Sequence, residues 1–328
     1  MITCKTPLRI SLFGGGTDFP EWYRRNRGMT ISFTIDKYCY LTLRKLPDLF
    51  SFKFRLRYFR NETVQNLNQI KHPSIKAILK KYHKNNDGLE IVHSSDIPGL
   101  SGLGSSSAFS ASLINLIHQY NDINLPKKQL VNKCINIEHK ILKESSGCQD
   151  QYACVYGGFN SIKYSKKKIV VEKLNVKPNN LNSLIENSIL VYSGIQRKSQ
   201  IIEKDKISNL IKNENNYLRI LEICDEAKKI LQSNSKSFIK PIASLMNEGW
   251  EYKRRLSKFV SNSKIDQLYR YGLKNGAIGG KLLGAGGGGY VLFLCANSRE
   301  QKKLIKSFNK NVYFKFRIDN QGSRIINY

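Results

Sequence analysis

The sequence lacks the features that place a protein in or across a membrane. None of its apolar runs approaches membrane-spanning length, and the stretch YVLFLCA near residue 290 is only long enough for a strand. The N-terminal stretch MITCKTPLRISLF has neither the long apolar region nor the small-residue cleavage site of a signal peptide. We therefore expect a cytoplasmic protein with no membrane partner.

Paired cysteines are also missing. The chain has seven cysteines, and no two of them form a C-x-x-C pair. An odd number without paired spacing is typical neither of a disulfide framework nor of a zinc site. Reduced and mostly buried thiols are expected at all seven positions, which are Cys4, Cys39, Cys134, Cys148, Cys154, Cys224 and Cys295.

Acidic residues are scarce. There are 25 of them against 54 lysines and arginines, so the formal net charge is +29. Such a balance can indicate nucleic-acid binding. Here the basic residues are spread along the whole chain, in runs no longer than Lys166-Lys167-Lys168. This distribution favours a generally basic surface that attracts anionic substrates over a specific nucleic-acid partner.

The common nucleotide-binding motifs are absent as well. The G-x-x-x-x-G-K-[ST] loop does not occur, since Gly280-Lys281 is followed by Leu282, and the catalytic H-R-D of protein kinases is missing. The stretch GAGGGG contains a formal G-x-G-x-x-G, but a strand follows it where a dinucleotide fold needs a helix. This stretch is either a close-packed turn or backbone wrapped around a substrate or phosphate.

What is present is a glycine- and serine-rich stretch, SDIPGLSGLGSSSAFSA, at residues 95–111. Its glycines form a flexible loop, and the segment after Ser107 has apolar residues at helical spacing. Such a loop presents backbone N–H groups and the positive end of a helix dipole, which together suit phosphate. The alternative is a loop that only caps a helix.

The remaining pattern alternates strands and helices. We place a domain boundary near residue 185, between an N-terminal domain, 1–185, and a C-terminal domain, 186–328. No internal repeat stands out. Strands are predicted at 2–13, 30–44, 49–58, 89–94, 158–162, 188–194, 290–296 and 312–318, and helices at 73–82, 106–120, 127–144, 196–231, 237–256 and 299–308.

The first strand ends in the sequence GGGTD, which puts Asp18 directly after the glycines. Glycines allow the tight backbone geometry of such a turn. An ordinary turn with an Asx-type hydrogen bond explains this pattern. The functional alternative makes Asp18 an acceptor for the hydroxyl groups of a polyol.

Three stretches taken together resemble the GHMP small-molecule kinases. They are PLRISLFGGGTDFPEW at 7–22, PGLSGLGSSSA at 98–108 and GGKLLGAGGGGYVLF at 279–293, which look like the first, second and third motifs of that family. The resemblance spans nearly the whole chain. It implies a two-domain α+β fold, with an N-terminal β/α domain, a C-terminal ferredoxin-like domain and the active site in the cleft between them.

The resemblance also implies an ATP- and Mg²⁺-dependent kinase. By this likeness, Asp150 is the catalytic base or the residue that orients the hydroxyl, and Arg9 is the cation beside it. Ser106 and Glu138 are implied as metal ligands. The implied ATP-binding residues are Gly102, Leu103, Gly104, Ser105, Ser106 and Ser107, and the implied substrate-binding residues are Gly15, Gly16, Thr17, Asp18, Gly286 and Gly287.

Each of these roles has a structural alternative. A lone Glu138 is more often a solvated helix-face carboxylate, and Arg9 with Asp150 can be only a structural pair. Trp22 and Tyr23 suit either a sugar ring or the core, and His139 fits a helix face better than a ligand set. Three cations are candidates for holding a substrate phosphate, namely Arg197, Lys198 and Lys281.

Within the family, GGGTDFPEWY and VYSGIQRKS look most like the kinases that act on D-glycero-D-manno-heptose 7-phosphate, and next most like the fucokinases. We therefore expect phosphorylation of the anomeric hydroxyl of this sugar phosphate to give the 1,7-bisphosphate, toward a nucleotide-activated heptose for surface polysaccharide. The alternatives are an unphosphorylated sugar as substrate and a non-catalytic relative that binds a sugar or nucleic acid. A homo-oligomer is possible with each of these three functions.

Overall fold

The computed structural model describes residues 1–197, 199–233, 235, 237–308 and 312–326. Twelve strands lie within these ranges: β1 Ile2–Phe13, β2 Gly28–Lys45, β3 Phe54–Arg57, β4 Asn61–Val64, β5 Leu89–Ser95, β6 Phe159–Tyr164, β7 Ile169–Lys173, β8 Ser188–Tyr192, β9 Ala277–Leu282, β10 Tyr290–Cys295, β11 Tyr313–Phe314 and β12 Arg324–Ile326.

Eleven α-helices are described in the same ranges, together with a 3-10 turn at Leu67–Gln69 and a π-helical turn at Asn136–Ile141. The helices are α1 Pro20–Tyr23, α2 Pro73–Tyr82, α3 Ser105–Tyr120, α4 Lys127–Ile135, α5 Gln149–Tyr156, α6 Pro178–Glu186, α7 Gln200–Ser208, α8 Glu214–Gln232, α9 Ile239–Arg255, α10 Ser263–Lys274 and α11 Ser298–Ser307. None of these helices is long and apolar enough to span a bilayer.

The strands form two sheets. The larger has the order β12-β1-β2-β5-β3-β4, with β6 added on β2 and β7 on β6, and the smaller has the order β11-β8-β10-β9. The smaller sheet is antiparallel throughout, and its strand order is that of a ferredoxin-like β-α-β-β-α-β unit. The predicted two-domain α+β architecture is therefore found.

The division between the sheets falls between β7 and β8, close to the predicted boundary at residue 185. The end of the chain crosses back, however, because β12 pairs with β1 and Ile318 bridges to Ile35. By strand pairing, residues 318–326 thus belong with the first sheet, although the sequence analysis placed them in the C-terminal domain. The exact domain limits remain a prediction.

Strand β1 is buried on both faces. Helix α3 packs against β1 and β2 on one side, while α8 and α9 contact the same sheet from the other. Two irregularities interrupt the β1–β2 ladder, one between Pro7 and Arg9 and one between Ser11 and Phe13. Such bulges change the direction of side chains. Here they occur on either side of the stretch that carries Arg9 into the interior.

Several predicted elements differ in extent. The helix predicted at 127–144 ends as an α-helix at Ile135 and continues as the π-helical turn, and the long pattern at 196–231 is split into α7 and α8. Helices α1, α5, α6 and α10 were not predicted. Strand β9 was expected to be loop because of its glycines, but Gly279 and Gly280 lie in it against Ala243 and Phe293. All seven cysteines are buried free thiols, as expected.

Candidate active site

Arg9 and Asp150 form the best-defined polar contact of the candidate site. Arg9 Nε donates to Asp150 Oδ1 at 2.7 Å and Arg9 Nη2 to Oδ2 at 2.8 Å, which is a bidentate pair. The arginine side chain is buried at 3% exposure, whereas Asp150 is 27% exposed. Burial lowers the pKa of Arg9, but the contact with Asp150 outweighs this effect and raises the pKa overall. Arg9 thus holds both oxygens of the Asp150 carboxylate, while part of the Asp150 side chain stays accessible to solvent.

The same arginine reaches the glycine- and serine-rich loop. Arg9 Nη1 donates to Gly102 O at 2.6 Å, and the backbone N–H of Arg9 donates to Leu103 O at 2.9 Å. A Cβ at Gly104 would meet Arg9 Cγ at 3.1 Å and Asp150 Oδ2 at 3.5 Å, and the residue has a φ of +77°. Glycine therefore lets the loop lie against the Arg9–Asp150 pair.

The loop leads directly into helix α3 at Ser105. The residue before the helix is Gly104, and no side chain caps the first turn. Helix amides without a capping side chain are available to an anion. Ser106 is exposed at this end, whereas Ser107 is buried and donates to Glu138 Oε2 at 3.0 Å. The serine that contacts the carboxylate in this structure is therefore not the one expected to bind metal with it.

Glu138 lies in the π-helical turn at 2% exposure, so the interpretation as a solvated helix-face carboxylate is wrong. Gln151 also donates to its Oε2, while Oε1 is buried and forms no hydrogen bond of good geometry within the described residues, although the nearby Ser110 hydroxyl acts to lower the pKa of this carboxyl. Burial and the nearby Glu144 raise the pKa of Glu138 to about 7. A buried carboxylate oxygen without a partner is suited to accept a cation.

Asp18 is buried at 3% exposure and bridges two segments. Its Oδ1 accepts from Gly16 N at 3.0 Å and its Oδ2 from Gln149 N at 3.1 Å, and burial raises its pKa. A Cβ at Gly147 would be 1.8 Å from Asp18 Oδ2. Asp18 thus holds the turn through the N–H of Gly16, two residues before it, rather than through the predicted Asx-type bond, and it also ties this turn to the residue before Asp150.

The other residues of the first motif are engaged with protein. The Thr17 hydroxyl contacts Gly14 O at 2.8 Å and Met29 O at 3.0 Å, and Gly16 lies against the Tyr217 ring. Gly15 has more space, since a Cβ added there would be 3.7 Å from its nearest neighbour, Gln149 Nε2. Trp22 is a core residue that stacks on Tyr217 at 5.0 Å.

Tyr23 and His139 complete the residues that the sequence singled out near the first two motifs. Tyr23 is half-buried and stacks on Tyr164, with ring centroids 5.7 Å apart. His139 Nε2 is 3.1 Å from Ser146 Oγ, and burial lowers its pKa. Both side chains therefore contact protein, as their structural alternatives predicted.

The glycines of the third motif allow backbone to pack on backbone. A Cβ at Gly284 would be 2.7 Å from Gly102 Cα, and one at Gly289 would be 2.3 Å from Ser101 O. Gly286 and Gly287 lie against the stretch Phe259–Val260 in the same way, and Gly287 N donates to Val260 O at 2.8 Å. The close-packed turn is therefore found, and it lies against the glycine- and serine-rich loop.

Two of the three candidate cations are described, and Lys198 lies outside the described residues. Lys281 is buried, donates to Leu12 O at 2.5 Å, and has its pKa lowered by burial to about 7. Arg197 is partly exposed, yet its Nε and Nη2 are buried without a hydrogen-bond partner in the described structure. Burial lowers the pKa of Arg197 as well. Of these two cations, Arg197 is the one whose buried donor atoms have no partner among the described residues.

Sequence reasoning missed three charged residues that surround this region. Glu203 and Lys206 are neighbours on α7, and burial raises the pKa of Glu203 to about 7 and lowers that of Lys206 to about 8. Lys253 on α9 is buried and donates to two carbonyls of the third motif. Each belongs to an ordinary amphipathic helix pattern. The only available signal was a lysine at a position where that pattern requires an apolar residue.

Comparison with known proteins defines the class. The profile for the GHMP kinases N terminal domain matches residues 68–158, and the profile for the GHMP kinases C terminal domain matches residues 222–313. Together they cover more than half of the chain. The protein belongs to the GHMP kinase family and is a phosphotransferase that acts on an alcohol group, with ATP as the family's phosphoryl donor. The non-catalytic alternative is therefore set aside.

Several individual GHMP kinases are similar to this chain over most of its length. The chain is 29% identical to D-glycero-alpha-D-manno-heptose 7-phosphate kinase of Campylobacter jejuni, across 94% of this chain and 93% of that protein. It is 20% identical to the bifunctional fucokinase/GDP-fucose pyrophosphorylase of Arabidopsis thaliana, across 96% of this chain but 32% of that protein. A crystal structure of a D-glycero-D-manno-heptose 1-phosphate kinase from Bacteroides thetaiotaomicron shares the fold, with a TM-score of 0.80 at 21% identity over 100% of this chain and 99% of that one.

Proposed function

We propose that this kinase transfers the γ-phosphoryl group of Mg-ATP to the anomeric hydroxyl of D-glycero-D-manno-heptose 7-phosphate, giving the 1,7-bisphosphate. The observation that carries the proposal is the near end-to-end similarity to the Campylobacter jejuni heptose 7-phosphate kinase. The unpartnered donors of Arg197 support it, because a phosphorylated sugar supplies the acceptor that they lack.

In this proposal the acceptor hydroxyl lies against the open side of Asp150. Both carboxylate oxygens are fixed by Arg9, so Asp150 presents a set orientation to the hydroxyl and accepts its proton or orients it. Arg9 also offers positive charge for the developing alkoxide. Phosphoryl transfer depends mostly on positioning and charge neutralisation, and this pair supplies both.

ATP is assigned to the loop 102–107 and the start of α3, whose first turn carries no capping side chain. The residues for Mg²⁺ fit a cation, since Glu138 Oε1 is buried without a partner and Ser106 is exposed at the helix start. When bound, the metal would neutralise charge on the nucleotide phosphates. Ser107 and Gln151 orient Glu138 for that role by donating to its other oxygen.

A fucokinase-like reaction on a free sugar is the second candidate. The similarity to the plant fucokinase over 96% of the chain favours it. The two candidate substrates differ in charge. Heptose 7-phosphate carries a phosphate group of its own that needs a cation in the sugar site, whereas a free sugar does not.

The deciding experiment is ADP release with Mg-ATP and a panel of acceptors: heptose 7-phosphate, the unphosphorylated heptose, fucose, galactose and mannose. Turnover on heptose 7-phosphate alone supports the proposal. Turnover on a free sugar, with none on the phosphate, replaces it with the second candidate and leaves the family assignment intact.

Arg197→Met tests how the substrate phosphate is held. A hydrogen bond between charged groups contributes about 1.5–3 kcal/mol, and about 1.4 kcal/mol corresponds to a factor of ten. We expect the dissociation constant of heptose 7-phosphate to rise about tenfold or more, with no comparable change for the unphosphorylated heptose. Isothermal titration measures both. The control is Arg299→Met, which removes an exposed arginine. Equal losses on the two sugars would contradict the assignment.

A further inference from the structure

Two buried lysines from the C-terminal half of the chain donate to three closely spaced carbonyls of the third motif. Lys253 Nζ donates to Leu282 O at 2.9 Å and to Gly284 O at 2.6 Å, and Lys206 Nζ donates to Ala285 O. Lys253 is 7% exposed and Lys206 is 4% exposed. The backbone from 282 to 285 is therefore held at three points by the Nζ groups of two lysines.

Lys253 gains this contact without a counter-ion. Among the described residues, no carboxylate lies within salt-bridge distance of it, and burial lowers its pKa well below the ordinary value for lysine. Lys206, Lys281, Arg197 and Arg9 add further positive charge around it. A buried, unpaired charge is costly. An apolar residue would fit the helix pattern of α9 better, so the contact with the loop accounts for the lysine.

The stretch 282–285, which the two lysines hold, lies directly against the proposed ATP-binding loop. A Cβ at Gly102 would be 2.8 Å from Leu283 O, and Tyr290 N donates to Ser101 O at 3.3 Å. The two backbones are in contact with no side chain between them, so a shift of one displaces the other. Close-packed backbone transmits a displacement because it has no room to absorb it.

The contact continues toward the reacting groups. Gly102 O accepts from Arg9 Nη1 at 2.6 Å, and the same arginine holds Asp150. One continuous path of backbone contacts and hydrogen bonds therefore runs from Lys253 through Gly284 and Gly102 to the Arg9–Asp150 pair.

We propose that Lys253 is a positioning residue, supported by Lys206, that fixes the stretch 282–285, which precedes the implied substrate-binding Gly286 and Gly287, against the ATP-binding loop and thereby sets the affinity for ATP. Lys253 itself touches neither nucleotide nor sugar in this proposal. The inference rests on the proposed assignment of ATP to the loop 102–107, but not on which sugar is the acceptor.

The test is Lys253→Met, which keeps the length and apolar stem of the side chain and removes the donors. Isothermal titration measures the dissociation constants of ATP and of the acceptor sugar that the turnover panel identifies, and steady-state kinetics measures kcat. We expect the dissociation constant of ATP to rise about tenfold, while that of the acceptor sugar changes less than twofold. Lys240→Met is the matched control, because Lys240 is an exposed lysine on the same helix.

Two outcomes would overturn the proposal. One is an unchanged ATP dissociation constant in a folded Lys253→Met protein, and the other is an equal loss for both ligands, which would indicate general loosening. If Lys253→Met does not fold, Lys206→Met carries the test. Its single carbonyl contact predicts a smaller rise, about threefold, and no rise would overturn the proposal.

Gly102→Ala tests independently whether ATP binds the loop 102–107. It therefore distinguishes a wrong role for Lys253 from a wrong ATP site. Alanine at this position would be strained at a φ of +77° and would meet Leu283 O. If Gly102→Ala weakens ATP binding and Lys253→Met does not, the loop binds ATP but Lys253 does not position it. If neither variant weakens ATP binding, the assignment of ATP to the loop is wrong, and the inference about Lys253 falls with it.

Discussion

At the scale of single residues, the Arg9–Asp150 pair combines two properties that a sugar kinase needs. The carboxylate is anchored through both oxygens and still has 27% of its side-chain surface exposed. A purely structural pair with a buried arginine would gain nothing from leaving its carboxylate partly open. The exposure of Asp150 therefore favours the catalytic role over the structural one.

Asp150→Asn tests that role. The amide keeps the size of the side chain but cannot take up the hydroxyl proton, and general acid–base catalysis contributes about 10²–10⁴-fold. We expect kcat to fall by about that factor while the dissociation constant of ATP stays within twofold. Asp48→Asn, at an exposed loop position, is the control. Near-normal turnover of the Asp150 variant would refute the assignment.

Glu138 predicts a pH dependence of metal binding. Its pKa is raised to about 7, so the carboxyl is mostly protonated below that pH and mostly ionised above it. Because Mg²⁺ binds the ionised form, affinity for Mg²⁺ should rise between about pH 6 and pH 8. A Mg²⁺ titration of activity at saturating ATP measures this rise.

The raised pKa of Glu138 affects folding stability in the opposite direction from Mg²⁺ affinity. Between about pH 4.5 and 7 the folded protein holds a proton on Glu138 that the unfolded chain releases, so this residue's contribution to stability falls as the pH rises through that window. Glu138→Gln should therefore abolish both dependences. A Mg²⁺ requirement that stays flat from pH 6 to pH 8 in the wild type would argue against Glu138 as a ligand.

At the scale of elements, the main departure from the sequence-based prediction is the helix at 127–144. Its apolar spacing was helical throughout, yet the chain changes to a π-helical turn at Asn136–Ile141. An extra residue per turn rotates the following side chains, and such turns often occur at functional sites. Here it accompanies the burial of Glu138, which the 3.6-residue pattern alone would not require.

Gly147→Ala tests the short connection between that turn and α5. The added Cβ would be 1.8 Å from Asp18 Oδ2, so either the carboxylate or the backbone must move. Overpacking of this kind costs about 1–3 kcal/mol. We expect a lower thermal unfolding midpoint and, since Asp18 also binds Gln149 N beside Asp150, a lower kcat. Differential scanning calorimetry and steady-state kinetics measure the two effects.

Gly249→Ala is the matched control for that substitution. Gly249 lies within α9 and a Cβ there would have its nearest neighbour at 3.7 Å, an ordinary contact. Alanine is favoured over glycine in a helix by about 1 kcal/mol, so this variant should be slightly more stable. If Gly147→Ala were as stable as Gly249→Ala, the tight contact with Asp18 would not constrain the turn.

At the scale of the whole molecule, part of the smaller sheet packs into the core of the larger sheet, while Val191, Val291 and Phe293 of the smaller sheet belong to a second buried cluster. Leu190 and Leu292 of the smaller sheet and Met246 of α9 belong to the same buried cluster as Leu8 and Ile10 of β1. Because the first of these clusters joins residues of both sheets, a weakly marked domain boundary in the sequence is expected.

Exposed and buried basic residues have different effects in this protein, whose formal net charge is +29. Most basic residues are distributed over the surface, as the sequence analysis expected, while Lys206, Lys253 and Lys281 are buried in the interior. Surface charge of one sign attracts anionic substrates over distance. The buried lysines act locally instead, by donating to backbone carbonyls.

The sequence by itself determined the family, the two-domain α+β architecture and the order of the three motifs. These follow from local patterns: strand alternation in 2–13, a glycine- and serine-rich loop before a helix, and glycines that only certain backbone geometries require. The positions assigned to ATP, metal and sugar also came from these motifs, and they remain predictions.

Only the tertiary structure decided what each charged residue contacts. Arg197 and Lys281 were equal candidates in the sequence, yet Lys281 is buried against Leu12 O and Arg197 keeps unpartnered donors. Lys253 lies in an ordinary amphipathic helix and gains its importance from carbonyls about 30 residues further along the chain. Burial and hydrogen-bond partners depend on residues distant in sequence, and local pattern therefore cannot supply them.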